Sequence, residues 1–190
     1  AYVGDTGSNT GGMGSYTDAN HSLPFLTEHD VIFARQINEQ TLYAIQEECG
    51  EEYKGIIFGG FIAVRGGVRL IEYNARFGDP EVMNMLSLLE TSLVDITKAI
   101  VERSLDQLNV QFAPLASVCK YVVPQGYPDK PIRGEPIDIT QVDQTKVQLF
   151  YGAVDQTASG LMLAGSRAVG LVATGATIAE AQEIVEQEIK

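Results

Sequence analysis

The apolar positions between residues 31 and 45 recur at intervals of three and four. This period predicts a helix with one buried face. Thr27 and Asp30 have the spacing of a capping box, and Gly50 marks an end, so the helix should run to about Cys49. The residues predicted to form the buried stripe are Val31, Ala34, Ile37, Thr41, Ala44 and Ile45.

Two strands are predicted after this helix. Residues 55–64 are almost continuously apolar, which predicts a strand buried on both faces, and Gly59 and Gly60 indicate a bulge or a close backbone approach. A tight turn at 65–67 then leads into residues 68–74, which return as the antiparallel partner in a hairpin. Helices are predicted over 80–89 and from a cap at Ser92 to about residue 103.

The pattern changes near residue 104, where short apolar runs begin to alternate with turn residues. A helix that opens at Thr177 closes the chain. We therefore predict an α+β protein with two domains, an antiparallel sheet with helices over 1–104 and a small β-rich domain over 105–190. The strands predicted in the second domain are 116–123, 146–151, 160–164 and 168–175.

Three polar residues alternate at the end of the predicted hairpin. Glu72, Asn74 and Arg76 should point to one face, because a strand has a period of two. Carboxylate and amide oxygens suit Mg²⁺, and a guanidinium grips phosphate or carboxylate. This combination is typical of a site for a nucleotide phosphate, although a solvated ladder of charges has the same spacing. The sharp turn that follows favours the functional interpretation. Pro80 is suited to the first position of the next helix, and Asp79 is suited to cap that helix.

A second unusual stretch lies near the beginning of the chain. Residues 4–16 contain five glycines, which argues against any regular element there. Successive backbone N–H groups in such a loop can cradle an anion, whereas a flexible linker is the alternative. The loop lacks the Gly-Lys-Ser ending of a P-loop.

The composition of the chain argues against some classes of binding partner. The formal net charge of −12 argues against nucleic acid, and it is unexpected for a nucleotide site. With no signal peptide and no apolar run of 18 or more residues, we predict no membrane association and a cytoplasmic location. Cys49 and Cys119 match no metal-ligand spacing and are predicted to be buried thiols. The first residue is Ala1, and we interpret the chain as a fragment of a longer protein.

The motifs at 9–14 and 72–81 together resemble those of the phosphoribosylamine–glycine ligase family, also called glycinamide ribonucleotide synthetases. These are ATP-grasp enzymes of de novo purine biosynthesis. The resemblance continues through 126–128, 164–167 and 177–182, and so covers essentially the whole chain. It implies that residues 1–104 are the second lobe of an ATP-grasp domain and that 105–190 are the family's small C-terminal domain.

The resemblance also implies a reaction and its site. ATP would phosphorylate glycine, and the amine of 5-phosphoribosylamine would attack the resulting glycyl phosphate. Glu72 and Asn74 would hold Mg²⁺ or Mn²⁺, Asn74 and Arg76 would bind ATP, and Arg76 would be catalytic. The residues implied on the glycine and ribosylamine side are Asn9, Thr10, Gly11, Gly12, Met13 and Asp79.

The family's N-terminal lobe, with most of the nucleotide clamp, would precede this chain. Its absence explains the acidic charge and leads us to expect that the fragment alone is inactive. Two alternatives remain open from the sequence: another ATP-grasp carboxylate–amine ligase, or a non-catalytic scaffold module of a purine-pathway protein.

Overall fold

The structure, a computed structural model, describes Gly4 and residues 6–190. The strands are β1 (Gly14–Thr17), β2 (Phe58–Val64), β3 (Gly67–Asn74), β4 (Ala116–Val122), β5 (Gln148–Tyr151), β6 (Val154–Thr157), β7 (Gly160–Leu163) and β8 (Val169–Gly175). The helices are α1 (Glu28–Cys49), α2 (Glu81–Leu88), α3 (Leu93–Glu102) and α4 (Ile178–Glu188), with a 3-10 turn at Leu105–Gln107. This mixture of antiparallel sheets and helices confirms the predicted α+β class. No helix in the described part of the chain has the length and apolarity to cross a membrane.

The chain forms two compact units whose segments interleave along the sequence. The first unit contains the described residues up to 21 together with 79–88 and 114–190. The second unit contains 22–78 and 89–113. Both units draw on residues before and after 104, and the predicted domains, 1–104 and 105–190, remain a prediction from the sequence.

The first unit is built around a four-stranded antiparallel sheet in the order β1-β4-β8-β5. Helix α4 packs on one face, where Val185 and Ala181 meet Leu171. Helix α2 packs on the other face, where Met83 meets Val172. Because both faces are covered, nearly every residue of the central strand β8 is buried. A separate hairpin of β6 and β7 completes the unit.

Strand β1 corrects the expectation that glycines exclude regular structure throughout residues 4–16. Gly14 to Thr17 pair antiparallel with Lys120 to Ser117 of β4. A Cβ on Gly14 would stand only 2.6 Å from the carbonyl oxygen of Cys119. Glycine at this position therefore permits close pairing of the two strands.

The second unit contains α1, the β2–β3 hairpin and α3. The capping box of α1 is confirmed, since Asp30 N–H donates to Thr27 Oγ1 and Thr27 N–H donates to Asp30 Oδ2. Gly50 ends the helix in the left-handed conformation, with φ 72°. Ser92 caps α3 as predicted, and its side chain accepts from Asp95 N–H. The predicted bulge is also present, as a register shift between Gly60 and Phe61.

Burial in the second unit differs from the predictions. The predicted buried stripe of α1 is wrong, because the helix has no buried residue and its Val31 and Ala44 are exposed. Strand β2 is half-buried to exposed, not buried on both faces, because it belongs to a sheet of only two strands. Packing on one side is nevertheless specific, since Tyr73 Oη of β3 donates to Asn38 Oδ1 of α1 at 2.9 Å.

Candidate functional site

The predicted metal ligands lie at the end of β3 in the second unit. Glu72 and Asn74 project from the same face of the strand, and Asn74 Nδ2 donates to Glu72 Oε1 at 3.3 Å. Glu72 is opposite Gly60 in the hairpin and is exposed to solvent. Carboxylate and amide groups are therefore adjacent and accessible at this edge.

Arg76 lies beyond the strand, which ends at Asn74. The predicted alternation on one strand face therefore holds for Glu72 and Asn74 but does not extend to Arg76. Its side chain is exposed, and Nη1 donates to the carbonyl oxygen of Phe77 at 2.7 Å. Within the described part of the chain, this local bond is the only hydrogen bond that the guanidinium makes.

The donor set at Glu72 and Asn74 suits a hard cation. Mg²⁺ is usually bound by one or two protein oxygens together with water and substrate phosphates. Asn74 can offer its Oδ1 by a half-turn of the amide, whose oxygen and nitrogen have nearly the same shape. Across the described residues, no group of three or more His, Cys, Asp or Glu side chains could hold a metal ion. A cation at β3 would thus need ligands in addition to these two side chains.

A second cluster lies in the first unit and centres on Arg167, which comes just before β8. Its Nη2 donates to Asp79 Oδ2 at 2.7 Å, and its Nη1 lies 3.3 Å from Asp79 Oδ1. The same Nη1 donates to the carbonyl oxygen of Gly12 at 2.7 Å. One guanidinium therefore holds a carboxylate and the glycine loop, residues 9–13, at the same time.

Tyr121 of β4 supports this pair. Its hydroxyl donates to Asp79 Oδ1 at 2.8 Å, and the Arg167 Cζ lies 4.7 Å from the centre of its ring. Burial, followed by the hydrogen bond to Asp79, raises the pKa of the Tyr121 phenol well above its ordinary value. The phenol thus remains a neutral hydrogen-bond donor at physiological pH.

The loop contains glycines where its backbone packs closely against neighbouring side chains. A Cβ on Gly11 would lie 3.0 Å from Arg167 Cζ, and one on Gly12 would lie 2.5 Å from Pro80 Cδ. The loop is also attached at its two ends. Ser8 Oγ donates to Asp129 Oδ1 at 2.7 Å, and the carbonyl oxygen of Met13 accepts from Tyr121 N–H at 2.9 Å.

Thr10 and Asn9 complete the predicted loop residues. Thr10 Oγ1 forms a hydrogen bond with the hydroxyl of Tyr127, and Thr10 is half-buried. Asn9, like Gly11 and Gly12, is exposed. The loop therefore has a fixed backbone and an accessible outer surface.

The structure thus brings the predicted substrate-side residues together around Arg167 in the first unit, whereas Glu72, Asn74 and Arg76 belong to the second unit. Helix α2 begins at Glu81, and the Asp79 carboxylate predicted to cap it is bound to Arg167 and Tyr121. The sequence alone had indicated no role for Arg167 or Tyr121. Arg167 lies within the segment 164–167 that carried part of the resemblance, but Tyr121 had no signal beyond its place in a predicted strand.

Comparisons with known proteins identify the family to which the chain is similar. The model of the phosphoribosylglycinamide synthetase ATP-grasp (A) domain matches residues 1–82, and the model of the C domain of the same enzyme matches residues 117–190. The phosphoribosylamine–glycine ligase of Methanocaldococcus jannaschii is 48% identical over 192 residues, a match that covers 100% of this chain and 43% of that protein. The enzyme of the same name from Methanobrevibacter smithii is 49% identical over 189 residues, covering 98% and 43%.

Solved structures show the same relationship. The crystal structure of phosphoribosylamine–glycine ligase from Thermotoga maritima matches with a TM-score of 0.81 and 26% identity, over 98% of this chain and 44% of that chain. The urea amidolyase of K. lactis, at 16% identity and a TM-score of 0.66, shares the fold. This chain spans less than half the length of the curated relatives it matches. Two domain models of one enzyme, and relatives matched along the whole chain, show that the chain belongs to the phosphoribosylglycinamide synthetase family.

Proposed function

We propose that the protein containing this chain joins glycine to 5-phosphoribosylamine in a reaction driven by ATP, as a step of de novo purine biosynthesis. The observation that carries the proposal is the adjacent pair Glu72 and Asn74 at the end of β3, in a chain of this family. The names of its relatives, which are phosphoribosylamine–glycine ligases, support the choice of substrates.

The proposed reaction has two transfers. A carboxylate oxygen of glycine attacks the γ-phosphorus of ATP, which breaks the bond to ADP and forms glycyl phosphate. The amine nitrogen of 5-phosphoribosylamine then attacks the carbonyl carbon, loses a proton and expels phosphate, and glycinamide ribonucleotide results. Negative charge develops on oxygen atoms in both steps, so cationic groups and hydrogen-bond donors must lie close to those oxygens to stabilise them.

We assign the phosphate side of this reaction to the end of β3. Glu72 and Asn74 would hold Mg²⁺ or Mn²⁺, which neutralises charge on the phosphates of ATP. Arg76 would contact the transferring phosphoryl group. Because its side chain is exposed and, among the described residues, hydrogen-bonds only to the carbonyl oxygen of Phe77, it can turn towards a phosphate without disturbing packed structure.

We assign the substrate side to the glycine loop and Asp79. The side chain of Asp79 is 42% exposed although it is bound to Arg167 and Tyr121. A carboxylate oriented in this way can accept hydrogen bonds from an amine. Both proposed co-substrates, glycine and 5-phosphoribosylamine, carry one.

Glu72→Ala in the full-length protein tests the phosphate side. We expect turnover to fall by about 100-fold or more, because charge in the transition state loses a stabilising partner. Binding of Mg·ATP, measured by titration calorimetry, should weaken in parallel. Glu51→Ala, which removes an exposed carboxylate from the same unit, is the matched control and should behave as wild type.

Equal turnover in Glu72→Ala and Glu51→Ala would refute the assignment of the metal site. A scaffold module would likewise show no dependence on Glu72 in partner binding. The cytoplasmic location, the N-terminal lobe as a partner within the same protein, and the inactivity of this chain by itself remain predictions that accompany the proposal.

A further inference from the structure

We infer that Arg167 is a positioning residue that sets the geometry of Asp79 and the glycine loop as one amine-binding unit. The inference rests on the proposed function, because it concerns how the substrate side of that reaction is assembled. Arg167 would act through Asp79 and the loop backbone, without contacting the reacting atoms.

The first support is the geometry of the guanidinium. Its two terminal nitrogens face the two carboxylate oxygens of Asp79, and Nη1 also reaches the carbonyl oxygen of Gly12. A planar fork fixes the rotation of a carboxylate as well as its distance. The orientation of Asp79 and the position of the loop are therefore set by one side chain.

The second support is the contrast in exposure within the pair. The side chain of Arg167 is 18% exposed, whereas that of Asp79 is 42% exposed. The ring of Tyr121 lies against the guanidinium, which is thus held from more than one direction. A ligand that approaches from solvent meets the carboxylate more readily than the arginine.

The third support is the remaining capacity of Asp79 to accept hydrogen bonds. Tyr121 and Arg167 donate to Oδ1, and Arg167 donates to Oδ2. An ionised carboxylate offers about four acceptor positions. Capacity for a further donor therefore remains, and a primary amine or ammonium group is the chemistry that would use it.

The fourth support is the fit of the loop against Arg167. A Cβ on Gly11 would come within 3.0 to 3.2 Å of three guanidinium atoms. The loop backbone thus packs directly on the charged group, and its position depends on the shape of that group. A lysine would keep the positive charge but could not make the same set of contacts.

Arg167→Lys in the full-length protein tests this inference. We expect the KM values for glycine, for 5-phosphoribosylamine or for both to rise about 10- to 100-fold, because a misplacement of about 1 Å has an effect of that order. The KM for ATP should stay within about twofold. Measuring the two amines separately identifies which one Asp79 receives.

Two further variants sharpen the test. Tyr121→Phe removes the hydroxyl bond to Asp79 but keeps the ring under Arg167, so a smaller rise in the same KM is expected. Arg35→Lys is the matched control, since Arg35 also pairs with a carboxylate, that of Glu39, on an exposed helix. It should leave all KM values unchanged.

Hydrogen exchange supplies a readout that does not depend on activity. In Arg167→Lys, the backbone amides of residues 9–13 should exchange faster than in wild type, while those of β8 should not. Unchanged amine KM values, or an equal rise in the KM for ATP, would overturn the inference. A wild-type protein that does not consume these substrates would instead overturn the proposed function, and the exchange of the loop would still decide whether Arg167 positions it.

Discussion

At the scale of single residues, Cys119 shows how burial determines chemistry. This residue of β4 packs in a cluster with Met83 of α2 and is 1% exposed. Burial, followed by the charges of Asp79 and Glu81, raises the pKa of its thiol to about 12. Cys49, at the end of α1, is exposed. The prediction of two buried thiols is therefore correct for Cys119 and wrong for Cys49, because cysteine number and spacing do not reveal that α1, which carries Cys49, has no buried residue.

The raised pKa of Cys119 predicts a dependence of stability on pH. The ordinary thiol pKa is 9.0, so the unfolded chain loses this proton before the folded protein does as the pH rises. The contribution to stability is complete below about pH 9 and declines between about pH 9 and about pH 12. Between about pH 8 and about pH 11, the melting temperature of wild type should therefore fall more steeply than that of Cys119→Ala.

Calorimetry or circular dichroism at several pH values would measure this difference. Tyr121, whose pKa is also raised, is present in both proteins, and because burial and Asp79 are the main causes of its shift, most of its effect cancels in the comparison. Parallel declines in the two melting temperatures would contradict the prediction.

At the scale of elements, β1 is the strand that was not predicted, because its segment is rich in glycine. Its pairing with β4 is reinforced from α2, where Asn84 bonds to Ser15 of β1 and donates to Ser117 Oγ of β4 at 2.8 Å. Asn84 is 5% exposed. A buried amide that satisfies two strands at once fixes their register.

Gly14→Ala tests how tightly β1 is paired. The new methyl group would stand 2.6 Å from the carbonyl oxygen of Cys119, and backbone at that position cannot move away cheaply. We expect the free energy of unfolding to fall by about 1 to 3 kcal/mol, as for other overpacked sites. Denaturant titration measures the change.

Gly60→Ala is the control for this substitution. Gly60 is also a strand glycine, but a Cβ there would make an ordinary contact, 3.6 Å from Glu72 Cγ. The effect should stay below about 1 kcal/mol. Equal effects of the two substitutions would show that strand propensity, and not contact with β4, determines the result.

The elements that could be predicted from sequence are those with local causes. The caps at Thr27 and Ser92 and the stop at Gly50 depend on neighbouring residues, and all three are confirmed. The errors concern burial, which depends on distant segments: neither β2 nor the stripe of α1 is buried. The same distinction applies to the candidate site. The adjacency of Glu72 and Asn74 could be predicted from the two-residue period of a strand. The contact of Arg167 with Asp79 could not, because 88 positions separate the two residues in the sequence.

At the scale of the whole molecule, the two units differ in how much they bury. In residues 22–78 and 89–113, all of which are described, the buried residues are Val68, Gly78 and Ala99. The first unit contains the remaining core, including nearly all of β8. Apolar burial is the main source of stability, so the units should resist opening to different degrees.

Native-state hydrogen exchange would measure this difference. We expect the slowest amides in β4 and β8, which are central strands covered on both faces, and faster exchange in α1, which has no buried residue. The physical reason is that opening α1 exposes little apolar surface. Protection in α1 equal to that in β8 would contradict the prediction.

The contact of Arg167 with Gly12 has a consequence for the stage of translation at which the loop can be fixed. The two residues are 155 positions apart. At translation rates of about 5 to 20 residues per second, Arg167 is synthesised about 8 to 30 s after the glycine loop. For the earlier part of this interval β1 also lacks β4, its partner in the sheet. A nascent chain released before Arg167 would therefore leave the loop unanchored, and any ability to bind an amine would be acquired only when translation of this region is almost complete.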